Sequence, residues 1–156
     1  MKWTVLAVGR TMPPPIRELV EDYQGRLNHF VSVGLEVVAE ERREKGLSPH
    51  LAMEREGARL LARIPENALT VALDASGKML SSPDFSKLLE RWRQDGHHAV
   101  IFLLGGPDGL PPAIKSSASL TLSLGLMTYP HMLARVLLFE QLYRAMTLSH
   151  GVPYHR

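Results

Sequence analysis

The sequence predicts an α/β fold, a mostly parallel sheet with helices on both faces, and three observations carry that prediction. Short apolar runs alternate with segments of helical periodicity, strand then helix, five times over. The fourth run, Val100-Ile101-Phe102-Leu103-Leu104, has no polar position, as a strand covered on both faces requires. Three of the runs also end in turns rich in small residues, which is where open α/β sheets hold their ligands.

Taken in order, residues 2–8 (KWTVLAV) form the first strand, with Gly9 at its exit. Pro13, Pro14 and Pro15 exclude a helix interior, but Pro15 suits a first helical position. Ile16, Leu19, Val20, Tyr23 and Leu27 then follow at helical spacing, to an end near Asn28. Residues 35–39 (LEVVA) are the second strand. Ser48-Pro49 has the form of a capping residue followed by a first-turn proline. It opens a helix carrying Leu51, Glu54, Ala58 and Leu61, closed by Ile64-Pro65. Residues 68–73 (ALTVAL) are the third strand, leaving through Asp74-Ala75-Ser76-Gly77. Ser82-Pro83 repeats the capping signature for a helix through Leu88, Leu89 and Trp92, stopped by Asp95-Gly96. The fourth strand runs into Gly105-Gly106-Pro107-Asp108-Gly109. A short helix over 111–117, a fifth strand over 120–122 and a loop over 123–129 lead to Pro130, which opens the longest helix, 130–148. No repeat or linker divides the chain, so residues 1–156 read as one domain.

At 156 residues, with 45% apolar and 22% charged, the chain can bury a full core. No apolar run approaches the ~18 residues of a membrane span. Met1-Lys2-Trp3 enters a strand pattern without the features of a signal peptide, so a cytoplasmic location is expected. Cysteine is absent, which removes disulfides and thiol chemistry. The seven histidines show no metal-type spacing and no H-E-x-x-H, so no metal site is expected. No G-x-S-x-G elbow supports a serine hydrolase. A formal net charge of +2 permits a nucleic-acid partner without requiring one.

The turns at 74–77, 105–109 and 123–128 together predict a single shared pocket. They carry few side-chain donors, so main-chain N–H and C=O groups would do most of the holding. None is a dinucleotide fingerprint or a P-loop. The last helix has Met132, Leu133, Val136, Leu137, Leu138, Phe139, Leu142, Tyr143 and Met146 spread over more than the ~100° stripe of a single covering face. A second apolar surface is the simplest remedy, so a homodimer is expected through it. Among these lie His131, Arg135, Glu140, Gln141 and Arg144, for which pairing within the helix and contact with substrate both stand open. The tail groups Tyr154, His155 and Arg156, as base stacking and phosphate binding need, although short tails are usually disordered. The charge run at 40–45 (EERREK) reads as a solvated loop, with RNA contact by Arg42, Arg43 and Lys45 as the alternative. Arg55, Arg59 and Arg63 share one helical stripe and pose the same choice.

Leu73-Asp74 with Gly77-Lys78, the run LLGGPDGL, Met127-Thr128-Tyr129-Pro130-His131, Glu140-Gln141-Leu142-Tyr143-Arg144-Ala145 and Pro153-Tyr154-His155-Arg156 together resemble the RlmH family. Its members are small methyltransferases of the SPOUT class that act on large-subunit ribosomal RNA. The resemblance spans essentially the whole chain. It implies an α/β knot fold with a deep trefoil knot near the carboxyl end, a homodimer, and S-adenosylmethionine as methyl donor. It also implies methylation at N3 of a pseudouridine in 23S ribosomal RNA, and the modest net charge suggests that the assembled ribosome rather than naked RNA is the substrate. Carried over by position, the donor contacts fall on Leu73, Gly105, Leu124, Gly125, Leu126, Met127, Thr128 and Tyr129, within the strand-end segments already singled out. Gly125 and Tyr129 stand where the family pattern has a serine-like residue and a leucine. For such a reaction the chemistry of the side chains suggests His131 or His155 as proton acceptor, with Arg135, Arg144 and Arg156 on phosphate or the developing anion. Tyr154 would stack on or orient the base. Two rivals stay open: another SPOUT activity such as 2′-O-methylation of transfer RNA, and a non-catalytic ribosome- or RNA-binding protein.

Overall fold

In the computed structural model, which describes residues 1–155, alternation within the strands sorts the helices onto two faces. Strand β1 (Lys2–Val8) sends Trp3, Val5 and Ala7 one way and Leu6 and Val8 the other. The first set packs with α1 (Pro14–Leu27), α3 (Ser82–Gln94) and α5 (His131–Ser149). The second packs with α2 (Pro49–Leu61) and α4 (Pro112–Ser117). Five strands lie in the order β2 (Ser32–Val38), β1, β4 (Ala99–Leu104), β3 (Leu69–Met79) and β5 (Leu120–Ser123), each neighbouring pair parallel. The α/β reading therefore holds, with helices on both faces. No described helix is long and apolar enough to cross a membrane.

Several boundaries move for physical reasons. Strand β2 begins at Ser32 rather than residue 35, because it pairs in full register with β1 from Lys2↔Ser32 to Val8↔Val38. Gly34 and Glu36 blur its apolar alternation. Pro14 and Pro15 both sit in the first turn of α1, where the N–H groups they lack would be unpaired anyway. Ser81, one residue before the expected cap, closes α3 by accepting from the Asp84 N–H at 3.2 Å; Ser82 donates instead to Gln141 Oε1 at 2.7 Å. Strand β3 does not end at Leu73. Leu73 and Lys78 both pair with Leu122, so residues 74–77 bulge out of a strand that continues to Met79. Gly77 permits this, since a Cβ there would lie 2.7 Å from the Thr121 main chain.

The apolar surplus of the last helix is spent inside the chain. Helix α5 lies on the sheet between α1 and α3 and buries Val136, Leu138, Phe139, Leu142, Ala145 and Met146. Of its large apolar side chains, only Leu133 is more than a third exposed, so wrapping alone does not demand a second subunit. The 40–45 run is also not simply solvated. Glu41 pairs with Arg55 at 3.1 Å and with Arg59, while Arg43 pairs with Glu56 at 2.8 Å and Asp108 at 2.7 Å. Two of the three stripe arginines are thereby committed to a carboxylate.

Candidate functional site

The carboxyl ends of β3, β4 and β5 bring the three turns around one cavity of about 630 Å³. Every position expected to hold the donor lines it except Leu126, which is 82% exposed on the outer side of its loop. Glycine makes the walls possible. A Cβ on Gly105 would sit 2.3 Å from the carbonyl of Gly109, so the chain doubles back on a bare residue. The turn is closed by the Gly109 N–H donating to Gly106 O at 3.0 Å, with Gly109 at φ +83°. In the other wall, Gly125 adopts φ +142°, and its N–H donates to Ser123 Oγ at 3.2 Å.

The lining combines glycine main chain, leucine, methionine and proline side chains, the Thr128 hydroxyl and Tyr129 phenol, one carboxylate (Asp74) and one imidazole (His131), with no ammonium or guanidinium group. Burial alone would raise the Asp74 carboxyl, but hydrogen bonds from Ser76 and from Lys115 at 3.0 Å outweigh it and hold it below the usual range. His131 stands at the rim. Burial, then the neighbouring Arg135, pushes its imidazole below the ordinary histidine value, against the opposing pull of Glu40 and Glu56. Its Nε2 is buried without a hydrogen-bond partner among the described residues, 4.0 Å from Glu40 Oε2. A neutral imidazole beside an anionic group and bare main chain suits a ligand with a cationic centre and an apolar ring, as S-adenosylmethionine has.

The other expected catalytic residues lie elsewhere. Arg135 is 0% exposed; its Nη2 donates to Gly9 O at 2.9 Å and to Val8 O, so it seals the exit of β1 rather than meeting solvent. Burial lowers its guanidinium, and Nε and Nη1 have no partner among the described residues. The tail folds back along α5. The Tyr154 hydroxyl donates to Glu140 Oε1 at 3.1 Å, its ring lies 4.8 Å from Tyr143, and the Arg144 guanidinium covers it at 4.7 Å. Burial, then Tyr23 and Glu140, push the phenol well above its usual value. Arg144 Nε donates to Glu140 at 3.0 Å, and Arg144 Nη1 lies 3.4 Å from His155 Nδ1. Arg156 lies outside the described residues. Along the axis of α5 the anchor at Glu140 is about 13 Å from His131, at ~1.5 Å per residue. The structure thus joins His131 to the strand-end turns and leaves Tyr154 and His155 apart from them.

Sequence reasoning missed Glu40 and Glu56, which flank this region. Their signal is faint, because each stands among other charges and only the fold shows that Glu56 is buried and that Glu40 lies beside His131. A second cavity of about 470 Å³ opens beside Trp3, Phe30 and His150, away from the strand-end turns. Among the described residues no group of His, Cys, Asp or Glu is arranged to hold a metal.

The family described as "Predicted SPOUT methyltransferase" matches residues 1–155. A protein of Hyphomonas neptunium named Ribosomal RNA large subunit methyltransferase H is 44% identical over 100% of this chain and 99% of its own length. One of the same name from Magnetococcus marinus is 43% identical over 99% of each. A protein from Legionella pneumophila, solved with the cofactor SAM bound, superposes with a TM-score of 0.52 at 14% identity, covering 93% of this chain and 66% of that one. At that identity the likeness speaks for the fold.

Proposed function

We propose, from the premise that this chain belongs to the SPOUT methyltransferase family, that it methylates N3 of a pseudouridine in 23S ribosomal RNA. The donor is S-adenosylmethionine and the substrate is the assembled ribosome, so the enzyme works in the cytoplasm. One observation carries the reading: three separate strand-end turns converge on a cavity lined mainly by glycine main chain and apolar side chains, with Asp74 and His131 at its polar positions.

S-adenosylmethionine, when bound, supplies an electrophilic methyl group on a sulfonium. The turns at 105–109 and 124–129 hold it through main-chain N–H and C=O groups, and Leu73 and Leu124 give its ring apolar cover. Most of the rate then comes from holding the base nitrogen in line with the methyl group. The imide proton must also leave. If N3–H titrates ~2 units above neutrality, its anion costs roughly 2.7 kcal/mol at pH 7, which one well-placed acceptor offsets. His131 is that acceptor, its imidazole held toward the neutral form by burial and its Nε2 without a hydrogen-bond partner among the described residues.

Tyr154 and His155 of a second copy complete the site, orienting the base. Their distance from His131 within one chain supports that arrangement, as does the apolar pair Leu126 and Met127, exposed on the donor loop where a second copy would cover them. The trefoil knot belongs to the same reading: after β5 is laid at one edge of the sheet, the chain returns across it so that Arg135 reaches the exit of β1. Methyl transfer from labelled donor to ribosomes lacking the modification tests the whole. The expected product is N3-methylpseudouridine, with little transfer to naked RNA, since a net charge of +2 gives weak phosphate attraction. A 2′-O-methylated nucleoside, or no transfer, overturns it.

A further inference from the structure

The wall formed by the β4–α4 turn has three glycines and only Asp108 as a polar side chain at its tip, and the fold supports it from behind. Glu56, on α2, is 1% exposed. Its Oε1 accepts from the Glu41 N–H and from Arg43 Nη1, each at 2.8 Å. Its Oε2 has no hydrogen-bond partner among the described residues and lies 2.8 Å from where a Cβ on Gly106 would be. The next residue, Gly57, admits the far end of the same turn: a Cβ there would sit 2.4 Å from Pro111 Cγ. One step of α2 therefore abuts both the entry and the exit of the wall. Arg43 reaches its tip, since Nη2 donates to Asp108 Oδ2 at 2.7 Å while Nη1 stays on Glu56 and on Glu41 O. None of Glu56, Arg43 and Asp108 lines the cavity.

We propose that Glu56 and Arg43 are positioning residues of the donor site: through Asp108 they hold the main chain of residues 105–109 at the spacing the donor requires. The inference rests on reading the cavity as the S-adenosylmethionine site. An untethered turn spends part of its time in positions that do not accept the donor, and apparent affinity falls by the fraction lost. A single ion pair at a rim is screened and weak. Here the guanidinium is already fixed by a buried carboxylate and a carbonyl, so little freedom remains to be lost when Asp108 joins it.

Calorimetric titration of S-adenosylmethionine into the wild type and into Asp108→Ala is the test, with the thermal midpoint measured alongside. Asp108→Ala leaves the Arg43–Glu56 pair intact. It is expected to weaken donor binding about fivefold with the midpoint unchanged, and to raise KM for the donor rather than lower kcat. Arg43→Met should weaken binding further, and the double variant should be no worse than Arg43→Met, because both substitutions cut one link. Donor affinity of Asp108→Ala within twofold of wild type, or strict additivity in the pair, overturns the inference alone. A wild-type chain that binds no donor overturns the reading of the cavity, and this inference with it.

Discussion

A Cβ on residue 105 would sit 2.3 Å from the main chain of Gly109, closer than non-bonded carbons come, so Gly105→Ala forces the β4–α4 turn apart. We expect donor affinity to drop at least tenfold and stability by about 1–3 kcal/mol, read by calorimetry and thermal melting. Gly25 is the contrast. It lies within α1 and a methyl group added there would meet nothing within 4 Å, so Gly25→Ala should raise stability by ~0.5–1 kcal/mol and leave donor binding alone. His131 makes a prediction in pH. Its value in the folded chain is depressed, so as pH falls below the ordinary ~6.5 the unfolded chain takes up the proton first and stability declines. The same depression puts the acidic limb of methyl transfer below that value. His131→Gln should flatten the decline in stability between pH 7 and 5 and abolish that limb; an unchanged stability profile would exclude the buried-imidazole account.

Elements carry their own test at the start of α3, where the structure moves the cap from Ser82 to Ser81. Ser81→Ala should cost about 1 kcal/mol in chemical denaturation, since the Asp84 N–H loses its acceptor. The shift also shows what is legible in the sequence. Strand order of appearance, helix faces and the three strand-end turns that share a cavity can be read there, because periodicity, proline and glycine act over a few residues. Two adjacent serines before a proline cannot be told apart, because the choice depends on where α3 meets Gln141 on α5. The bulge at 74–77 has the look of an exit from the sheet, because only the neighbouring β5 reveals that the strand resumes. Arg135 and the tail are hardest. Nothing in a local pattern says that a helical arginine will bond the first strand, or that Tyr154 will turn back to Glu140.

For the whole molecule, the reading of a site shared between copies predicts that defects in different parts complement one another. Gly105→Ala chains mixed with chains lacking residues 153–156, after dissociation and reassociation, should recover about a quarter of wild-type turnover, because half the pairs are mixed and each mixed pair has one intact site. No recovery, or light scattering that shows a monomer at micromolar concentration, would place the tail and the turns in a single chain. The bond from Arg135 to Val8 spans 127 positions of sequence. During synthesis the exit of the first strand must therefore wait for this partner until Arg135 has cleared the exit tunnel. A polypeptide released before that point would have most of its strands and no finished cleft, and so would be left to proteases without ever competing for the donor.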